Sequence, residues 1–452
     1  MDINCKGKNN IMDKSHIYTD QSIRVGYGEY SVNRKHIVIT KPHEGNIADI
    51  TEVAIAAGQV LNGRNIAVYG MAALVDDSEN PGRHHLASNA TLVNEGIIEI
   101  HLNEMVKEFK EQIKSVPDDP KGTYRFIKCF AMAAGKDSMI INNGVIRIYF
   151  DQDIDSETPV YGETLLAGEN SSIINNGEIH LLGNGSFATQ ARGIAVPANN
   201  MTIINNGKIN LDMERASTIR ILATTGLGGT IANYGSINVK SAGRIMTLAR
   251  FANTHIINEG DINIISKARY IVNKVSFLYQ SYPLACAFYE HSLPNKTPVP
   301  PIINNGSVTV HLEGCEESTP NAVAFGIYSE MVGNEEYVHR MENTGTIRVT
   351  KTGPYDFQIA ELGANVQSVK NFPYIIEIGR WRTVDRDFAV TKDLFVCNSA
   401  VFDFSHACLC LDCSNYDRKL VAENLMYQCE EARKRGDTCE LRHNENLRVE
   451  IA

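Results

Sequence analysis

One short motif recurs eight times along this chain of 452 residues and constrains its fold more than any other feature. Each copy has two apolar residues (Met and Glu in the looser last copy), an Asn, any residue, a Gly, and then alternating apolar and polar positions. The copies are LVNEGIIEI from Leu92, IINNGVIRI from Ile140, IINNGEIHL from Ile173, IINNGKINL from Ile203, IANYGSINV from Ile231, IINEGDINI from Ile256, IINNGSVTV from Ile302 and MENTGTIRV from Met341. Because a single copy cannot bury its own apolar face, the copies are expected to stack on one another.

The two recurring polar and small positions of the motif have distinct physical roles. The Asn residues are Asn94, Asn142, Asn175, Asn205, Asn233, Asn258, Asn304 and Asn343. Asn tolerates the left-handed backbone region, and its amide can hydrogen-bond to the matching amide in the next layer. The Gly that follows permits a positive φ or a close approach of two backbones. We therefore predict that the eight Asn side chains form an inward ladder along the stack.

Apolar and polar residues alternate after each Gly, which indicates a short strand. Five residues before the ladder Asn there is often a second turn-forming residue. These residues are Asn89, Asp137, Asn170, Asn200, Gly228 and Asn253. The pattern predicts an all-β chain that folds as a single-stranded parallel β-helix, and parallel crossovers are expected to be right-handed.

The spacing between successive motif glycines ranges from 25 to 48 residues, so the longer coils must carry inserts. Residues 103–116 have apolar positions at helical spacing and are predicted to form a helical insert. Residues 270–301 are rich in aromatic residues and Pro, and we expect a large loop on the flank of the solenoid. A second amphipathic helix is expected at residues 418–435.

Three regions follow from this organisation. Residues 1–85 are expected to form an N-terminal cap and degenerate first coils, with strands at 37–39 and 53–56 and a degenerate repeat at 62–70. Residues 86–350 are the regular β-helix with its Asn-x-Gly repeats. Residues 351–452 are expected to hold the last coils and a Cys-containing α/β cap, with a strand at 396–412. A dissimilar cap is expected because a solenoid end exposes unpaired strand edges.

The repeat, together with the segment ARGIAV that precedes one copy, resembles repeats of bacterial autotransporter passenger domains. The resemblance covers about residues 86–350 and implies a right-handed β-helix that is displayed as an adhesin or virulence factor. The polar N-terminal sequence has no signal-peptide core, and the charged C-terminal sequence NENLRVEIA does not resemble a membrane translocator. The expected setting is therefore cytoplasmic synthesis, followed by export through a secretion system that needs no cleaved signal.

Composition excludes several classes of function. The net charge of −10 and the absence of a basic run argue against nucleic acid as a partner. No apolar stretch has the length of a membrane span. The 10 cysteines are irregularly spaced, as expected for reduced thiols and not for a disulfide framework. No feature predicts a cofactor.

The cysteines near the C-terminus offer one candidate metal site. His406, Cys408 and Cys410 alternate along one predicted strand, and Cys413 lies just beyond. Zinc is bound by such ligands, but paired Cys-x-x-Cys knuckles are missing. Buried structural cysteines remain the alternative.

Two classes of function remain after these exclusions. Acidic residues on the strands could serve a polysaccharide lyase or hydrolase; they are Glu99, Glu178, Asp212, Glu214 and Asp261. They share no register along the repeat, which favours a non-catalytic binding scaffold of the adhesin or effector type. A phage tail-spike-like structural protein is a further alternative, and the sequence does not predict an oligomeric state.

The scaffold hypothesis places binding on the inserts. The aromatic residues of the predicted loop are the candidate contacts: Phe277, Tyr279, Tyr282, Phe288 and Tyr289. Aromatic residues are enriched at interfaces, so the expected partner is a host or bacterial protein, or a glycan. These rings could instead seal the insert onto the solenoid.

Overall fold

The protein is a parallel β-helix in a computed structural model. The structure describes residues 18–56, 59–79, 82–103, 125–151, 160–186, 189–196, 198–250, 253–267, 284–292, 300, 302–314, 323–331, 341–343, 345–352, 358–366, 395–397, 399–404 and 438–443. Among the described residues, no helix combines the length and apolar character that crossing a lipid bilayer requires.

The strands of the described residues are numbered in chain order. The N-terminal strands are β1 (Tyr18–Thr19), β2 (Ile23–Val25), β3 (Tyr30–Asn33), β4 (His36–Ile39), β5 (Ile47–Ala56), β6 (Gln59–Asp76), β7 (His84–Leu86), β8 (Thr91–Asn94) and β9 (Ile97–His101). The central strands are β10 (Arg125–Ala133), β11 (Met139–Asn142), β12 (Val145–Tyr149), β13 (Val160–Leu166), β14 (Ser172–Asn175), β15 (Glu178–Gly183), β16 (Thr189–Val196), β17 (Met201–Asn205), β18 (Lys208–Met213), β19 (Thr218–Thr224), β20 (Gly229–Asn233), β21 (Ser236–Ala242), β22 (Arg244–Arg250), β23 (His255–Asn258) and β24 (Asp261–Lys267). The C-terminal strands are β25 (Leu284–Ser292), β26 (Ile302–Asn304), β27 (Ser307–Glu313), β28 (Val323–Met331), β29 (Met341–Asn343), β30 (Thr346–Thr352), β31 (Gln358–Val366), β32 (Phe395–Cys397), β33 (Ser399–Phe404) and β34 (Thr438–His443).

Three long sheets run along the solenoid. Sheet I has the order β1-β4-β9-β12-β15-β18-β21-β24-β27-β30, and sheet II has the order β3-β8-β11-β14-β17-β20-β23-β26-β29-β32. Sheet III has the order β31-β28-β25-β22-β19-β16-β13-β10-β6-β5-β7, and β33 pairs with β34 separately. Each regular coil passes through sheet II, sheet I and sheet III in turn, and these strands pair in parallel. The predicted parallel β-helix is thus confirmed, whereas the handedness of its coil stays a prediction.

The sequence motif forms the corner between sheet II and sheet I. In β14, Ile173 is fully buried while Ile174 is only partly buried, and in β15 Ile179 and Leu181 are fully buried. This alternation follows from the two-residue period of a strand. The inward Ile, Leu and Val side chains of all coils form one continuous core.

The Asn residues of the corner form a ladder inside the solenoid. Its members are Asn33, Asn94, Asn142, Asn175, Asn205, Asn233, Asn258 and Asn304, and each of these side chains is fully buried. From Asn33 to Asn258, each Nδ2 donates to the Oδ1 of the next Asn, at 2.7–2.9 Å. Seven of the eight predicted positions lie in this ladder, and the side chain of Asn343 lies outside the described residues.

Replacing Asn205 by Ala should lower the free energy of unfolding by about 1–3 kcal/mol, because a buried polar group without a partner keeps its desolvation penalty. Asn205 accepts from Asn175 at 2.7 Å and donates to Asn233 at 2.8 Å. Urea unfolding would measure the loss. The matched control is Asn206→Ala, which removes an exposed amide on the same corner and should change stability by less than about 0.5 kcal/mol. Equal effects of the two variants would contradict the ladder's role.

The motif glycines are required by close approach of two backbones, and not by a positive φ. A Cβ on Gly207 would lie 2.0 Å from the carbonyl oxygen of Gly177, and the other motif glycines meet the preceding coil in the same way. The left-handed conformation occurs instead at the second corner, where Asn170 and Asn200 have φ of 57° and 54°. Of the two roles that the sequence left open for the Gly, the structure therefore selects the second.

The first coils differ from the sequence-based prediction. Residues 62–70, predicted as a degenerate repeat, lie within the long strand β6, which pairs antiparallel with β5. The first repeat is instead formed by β3 and β4, where Asn33 begins the ladder. It escaped the sequence pattern because Lys35 occupies the position of the motif Gly. The predicted strand at 37–39 is confirmed within β4.

Several predicted elements can be compared only in part. The insert at 270–301, predicted to form a large loop, contains strand β25 of sheet III, so that prediction was wrong for residues 284–292. The strand predicted at 396–412 corresponds to parts of β32 and β33. Residues 104–116 and 418–435, predicted to be helical, lie outside the described residues.

Candidate functional site

The aromatic residues predicted to bind a partner do not form one surface in the described part of the chain. Phe288 and Tyr289 lie on β25 and are 0% and 3% exposed. The Arg244 guanidinium lies 5.3 Å from the Tyr289 ring and donates to its hydroxyl at 3.0 Å. These two rings pack against the solenoid, so they cannot serve as an exposed contact. Phe277, Tyr279 and Tyr282 lie outside the described residues.

The candidate metal ligands His406, Cys408, Cys410 and Cys413 also lie outside the described residues. Among the residues that the structure describes, no group of three or more His, Cys, Asp or Glu residues is placed to hold a metal ion. Cys129 and Cys286 are buried and are not joined in a disulfide bond. Burial raises the pKa of the Cys129 thiol, which disfavours the thiolate that a nucleophile requires.

The outer face of sheet I carries a continuous row of polar side chains, which we call the polar ribbon. Its members are Glu99, Arg147, His180, Asn210, Asn238, Asn263 and Thr309, one on each successive strand. They face outward because their strand neighbours are core residues, and all are partly or fully exposed. Asn210 donates to His180 at 3.2 Å and Asn238 donates to Asn210 at 3.1 Å, so the row is ordered.

Two carboxylates near one end of the polar ribbon, Glu99 within it and Glu178 beside it, are hydrogen-bonded to histidines. Glu99 lies 2.7 Å from His101, and Glu178 lies 2.8 Å from His180. Burial alone would raise the pKa of the Glu99 carboxyl. The hydrogen bond with His101 and the charges of His101, His36 and Arg147 outweigh it, so this pKa lies below its ordinary value. The hydrogen bond with His180 likewise lowers the pKa of Glu178.

The acidic residues considered for catalysis are not paired with one another. Glu99 lies opposite Arg147, Glu178 lies opposite Lys208, and Asp212 lies opposite Lys240. Glu214 forms an ion pair with Lys267 at 2.6 Å, and Asp261 lies opposite Ser307. A general acid needs a raised pKa, which is the reverse of what Glu99 and Glu178 show.

Charges on the outer face of sheet I balance along its length. From β9 to β30, the outward positions carry the acids Glu99, Glu178, Asp212, Asp261 and Glu313 and the bases Arg147, Lys208, Lys240, Lys267 and Arg348. A chain with a net charge of −10 thus presents one long face without net charge. Such a face neither attracts nor repels a charged polymer over distance.

A second polar group, which we call the charged cluster, lies on three adjacent strands of sheet III. It consists of Lys128, Tyr161, Glu163, Gln190 and Arg192. Glu163 is hydrogen-bonded to Arg192, and Lys128 Nζ lies 3.9 Å from the other carboxylate oxygen. Arg192 also donates to Gln190 at 2.9 Å, and Gln190 donates to the Tyr161 hydroxyl at 3.1 Å.

Lys128 and Glu163 of the charged cluster are almost completely buried, and burial shifts the pKa values of Lys128 and Tyr161. Lys128 is 8% exposed and Glu163 is 2% exposed. Burial lowers the pKa of the Lys128 ammonium, and the positive charge of Arg192 lowers it further. The negative charge of Glu163 raises this pKa but does not offset the other two effects. Burial also raises the pKa of the Tyr161 phenol, which the charge of Arg192 partly offsets. Perturbed ionisable groups of this kind occur in structural networks and in active sites alike.

Sequence analysis missed both the polar ribbon and the charged cluster. The ribbon could have been found by aligning the fifth residue after the Asn of each motif copy, because that position is hydrophilic in all eight copies. The cluster lies in strands without the motif. Its only signal was charged residues inside otherwise apolar segments, such as Lys128 in FIKCFAMA and Glu163 in VYGETLL.

Residues 2–186 match the family described as the BigA third pectate lyase-like domain, which is a domain of a bacterial surface protein. The match spans less than half of the chain and agrees with the β-helix fold. No curated protein matches the chain. No solved structure matches it either.

Proposed function

We propose that this protein is a non-catalytic β-helix scaffold of a bacterium, which uses the polar ribbon to bind a neutral glycan chain. The observation that carries the proposal is the ordered polar ribbon, whose members are partly or fully exposed on seven successive strands of a face that has no net charge. The likeness of residues 2–186 to a domain of a bacterial surface protein supports an adhesin-like or secreted, virulence-associated role.

The chemistry of the ribbon suits a polymer of hydroxyl groups. Asn210 uses one donor and one acceptor within the row and Asn238 uses one donor, whereas an amide has two donors and two acceptor lone pairs. The ribbon side chains are partly or fully exposed and repeat at the strand spacing of about 4.8 Å. An extended polysaccharide presents donors and acceptors at a comparable regular interval. The balanced charges add no preference for an anionic chain.

Glycan binding should weaken when the side-chain amides of Asn210 and Asn238 are removed. The full chain is applied to an array of neutral and anionic glycans, alongside the double variant Asn210→Ala/Asn238→Ala. We expect retention on at least one neutral glycan and about a tenfold weaker interaction for the variant, since two hydrogen bonds contribute about 1.4 kcal/mol or more. The control Asn176→Ala/Asn206→Ala removes two exposed amides at the corner and should bind as the unmodified protein does. If the two double variants bind the glycan equally well, the polar ribbon is not the binding site.

A protein partner is the other outcome of this experiment. If no glycan is retained, and a pull-down from host or bacterial lysate recovers a protein whose capture depends on Asn210 and Asn238, the ribbon is a protein-binding face. The protein would then still be a non-catalytic binding scaffold, but its ligand would be a protein and not a glycan.

The charged cluster favours one second candidate, a polysaccharide lyase on the same fold. A lysine whose pKa is lowered by burial is a suitable general base; Tyr161 is opposite Lys128 on the neighbouring strand, and Glu163 lies 3.9 Å from its Nζ. Turnover of an acidic polysaccharide that is abolished by Glu163→Gln would support this candidate over the scaffold. If the charged cluster only stabilises sheet III, neither the unmodified protein nor Glu163→Gln will turn over the polysaccharide.

A further inference from the structure

The outer face of sheet II carries a row of aliphatic side chains, which we call the aliphatic stripe. Its members are Val32, Val93, Ile141, Ile174, Ile204, Ala232, Ile257 and Ile303, each directly before a ladder Asn. They point outward because both flanking residues of each strand point into the core; Ile173 and Asn175, which flank Ile174, are fully buried. Most members of the stripe are partly exposed.

A second outward column beside the stripe is also free of formal charge. It contains Tyr30, Thr91, Met139, Ser172, Thr202, Thr230 and His255, opposite one another in successive strands. From β3 to β23, the two columns hold no Asp, Glu, Lys or Arg among the described residues. Sheet I, built from the same coils, has ten charged residues on its outer face. The absence of charge therefore distinguishes this face of sheet II from the outer face of sheet I.

Large exposed apolar residues concentrate at the edges of this face. Met139 is 41% exposed and Tyr30 is 67% exposed in the second column. Leu227 and Tyr234, at 43% and 47%, lie in the corners on either side, and Tyr27 at 66% precedes β3. Rows of amides complete the two rims, with Asn176 and Asn206 on one side and Asn170 and Asn200 on the other. An apolar centre with a polar, hydrogen-bonding rim is the organisation of a protein interface.

We infer that this face of sheet II pairs with the same face of a second copy of this chain. The repeat distance of the stripe and the net charge of the chain both indicate that the partner on this face is a second copy. Side chains that repeat at about 4.8 Å interdigitate along their whole length only with a row of the same repeat, which another copy of this solenoid supplies. Because each copy carries a net charge of −10, two copies approach most easily through a face that has no charge.

The area is sufficient for a stable pair. Eight strands span about 34 Å, and two columns of side chains are about 15 Å wide, which gives about 500 Å² per copy. The amide rims widen the face to about 800 Å² per copy, which equals the size of a standard protein interface. A twofold axis that lies midway between the two copies, parallel to the strands of sheet II, would place stripe on stripe in antiparallel orientation, with the two sheets about 10 Å apart.

Sedimentation velocity of the full chain at micromolar concentration tests the inference. We expect a species of twice the 50.0 kDa chain mass. The variant Ile174→Lys/Ile204→Lys should sediment as a monomer, because two lysines in the centre of the interface face two lysines of the partner. The control Ser236→Lys/Ser307→Lys places the same charges on the outer face of sheet I and should remain a dimer.

A charge-complementation experiment separates loss of pairing from loss of folding. The variant Ile174→Glu/Ile204→Glu should also be monomeric by itself. Mixing it with the lysine variant in equal amounts should restore the dimer, which misfolded proteins could not do. A monomeric unmodified chain at all concentrations, or a lysine variant that remains dimeric, would overturn the inference.

Discussion

Replacing Arg250 by Met is expected to lower the free energy of unfolding by about 3–5 kcal/mol, because it leaves a carboxylate buried without its main partner. Arg250 is fully buried, and its Nε and Nη2 donate to Glu290 at 2.9 and 2.5 Å. Its remaining nitrogen donates to the carbonyl oxygens of Thr254 and Pro300 at 2.9 and 2.6 Å. One side chain thus connects β22, β25 and two corner segments. Urea unfolding would measure the loss.

The double variant Arg250→Met/Glu290→Met should recover much of this stability. Apolar residues of similar volume can replace a buried ion pair at little cost, whereas one unpaired charge cannot be accommodated. The coupling between the two positions in the double-mutant cycle is therefore expected to be large. A loss below about 1 kcal/mol for the single variant would show that water or another group solvates Glu290.

Replacing Gly207 by Ala is expected to lower the free energy of unfolding by about 3 kcal/mol, at the upper end of the range for overpacked sites. The added methyl group would lie 2.0 Å from the carbonyl oxygen of Gly177, which is backbone and cannot rotate away. The coil would have to move outward, which also lengthens the hydrogen bond from the Lys208 amide to that carbonyl, now 2.9 Å. Thermal and urea unfolding both report this change.

The matched control is Gly26→Ala. A Cβ at Gly26 would have its nearest contact at 3.5 Å, with the side chain of Glu29. This substitution should change stability by less than about 0.5 kcal/mol. If Gly207→Ala lowered the free energy of unfolding no more than Gly26→Ala does, the close approach of neighbouring coils would not explain why the motif contains Gly.

Sequence periodicity predicted sheets I and II well because both are built from the motif itself. The Asn of the corner and the alternation after the Gly follow from local backbone geometry and from the two-residue period of a strand. Sheet III was not predicted strand by strand. Its central strands, such as β10 and β22, are buried on both faces, so they lack the alternation that marks a half-exposed strand.

The candidate sites were harder to predict, since they depend on which side chains point outward. Ile173 and Ile174 look alike in the sequence, yet one is core and the other belongs to the aliphatic stripe. Phe288 and Tyr289 suggested an exposed aromatic loop, but they lie on a strand and pack inward or under Arg244. Asn33 was missed because the residue at the Gly position of its coil is Lys35.

The most direct test of the account is the chain length of a polysaccharide after incubation with the protein that binds it, measured by size exclusion with light scattering. The scaffold proposal predicts an unchanged chain length, with retention that is lost in Asn210→Ala/Asn238→Ala and kept in Glu163→Gln. A shortened polysaccharide, with shortening abolished by Glu163→Gln, would contradict the account and place the function in the charged cluster of sheet III.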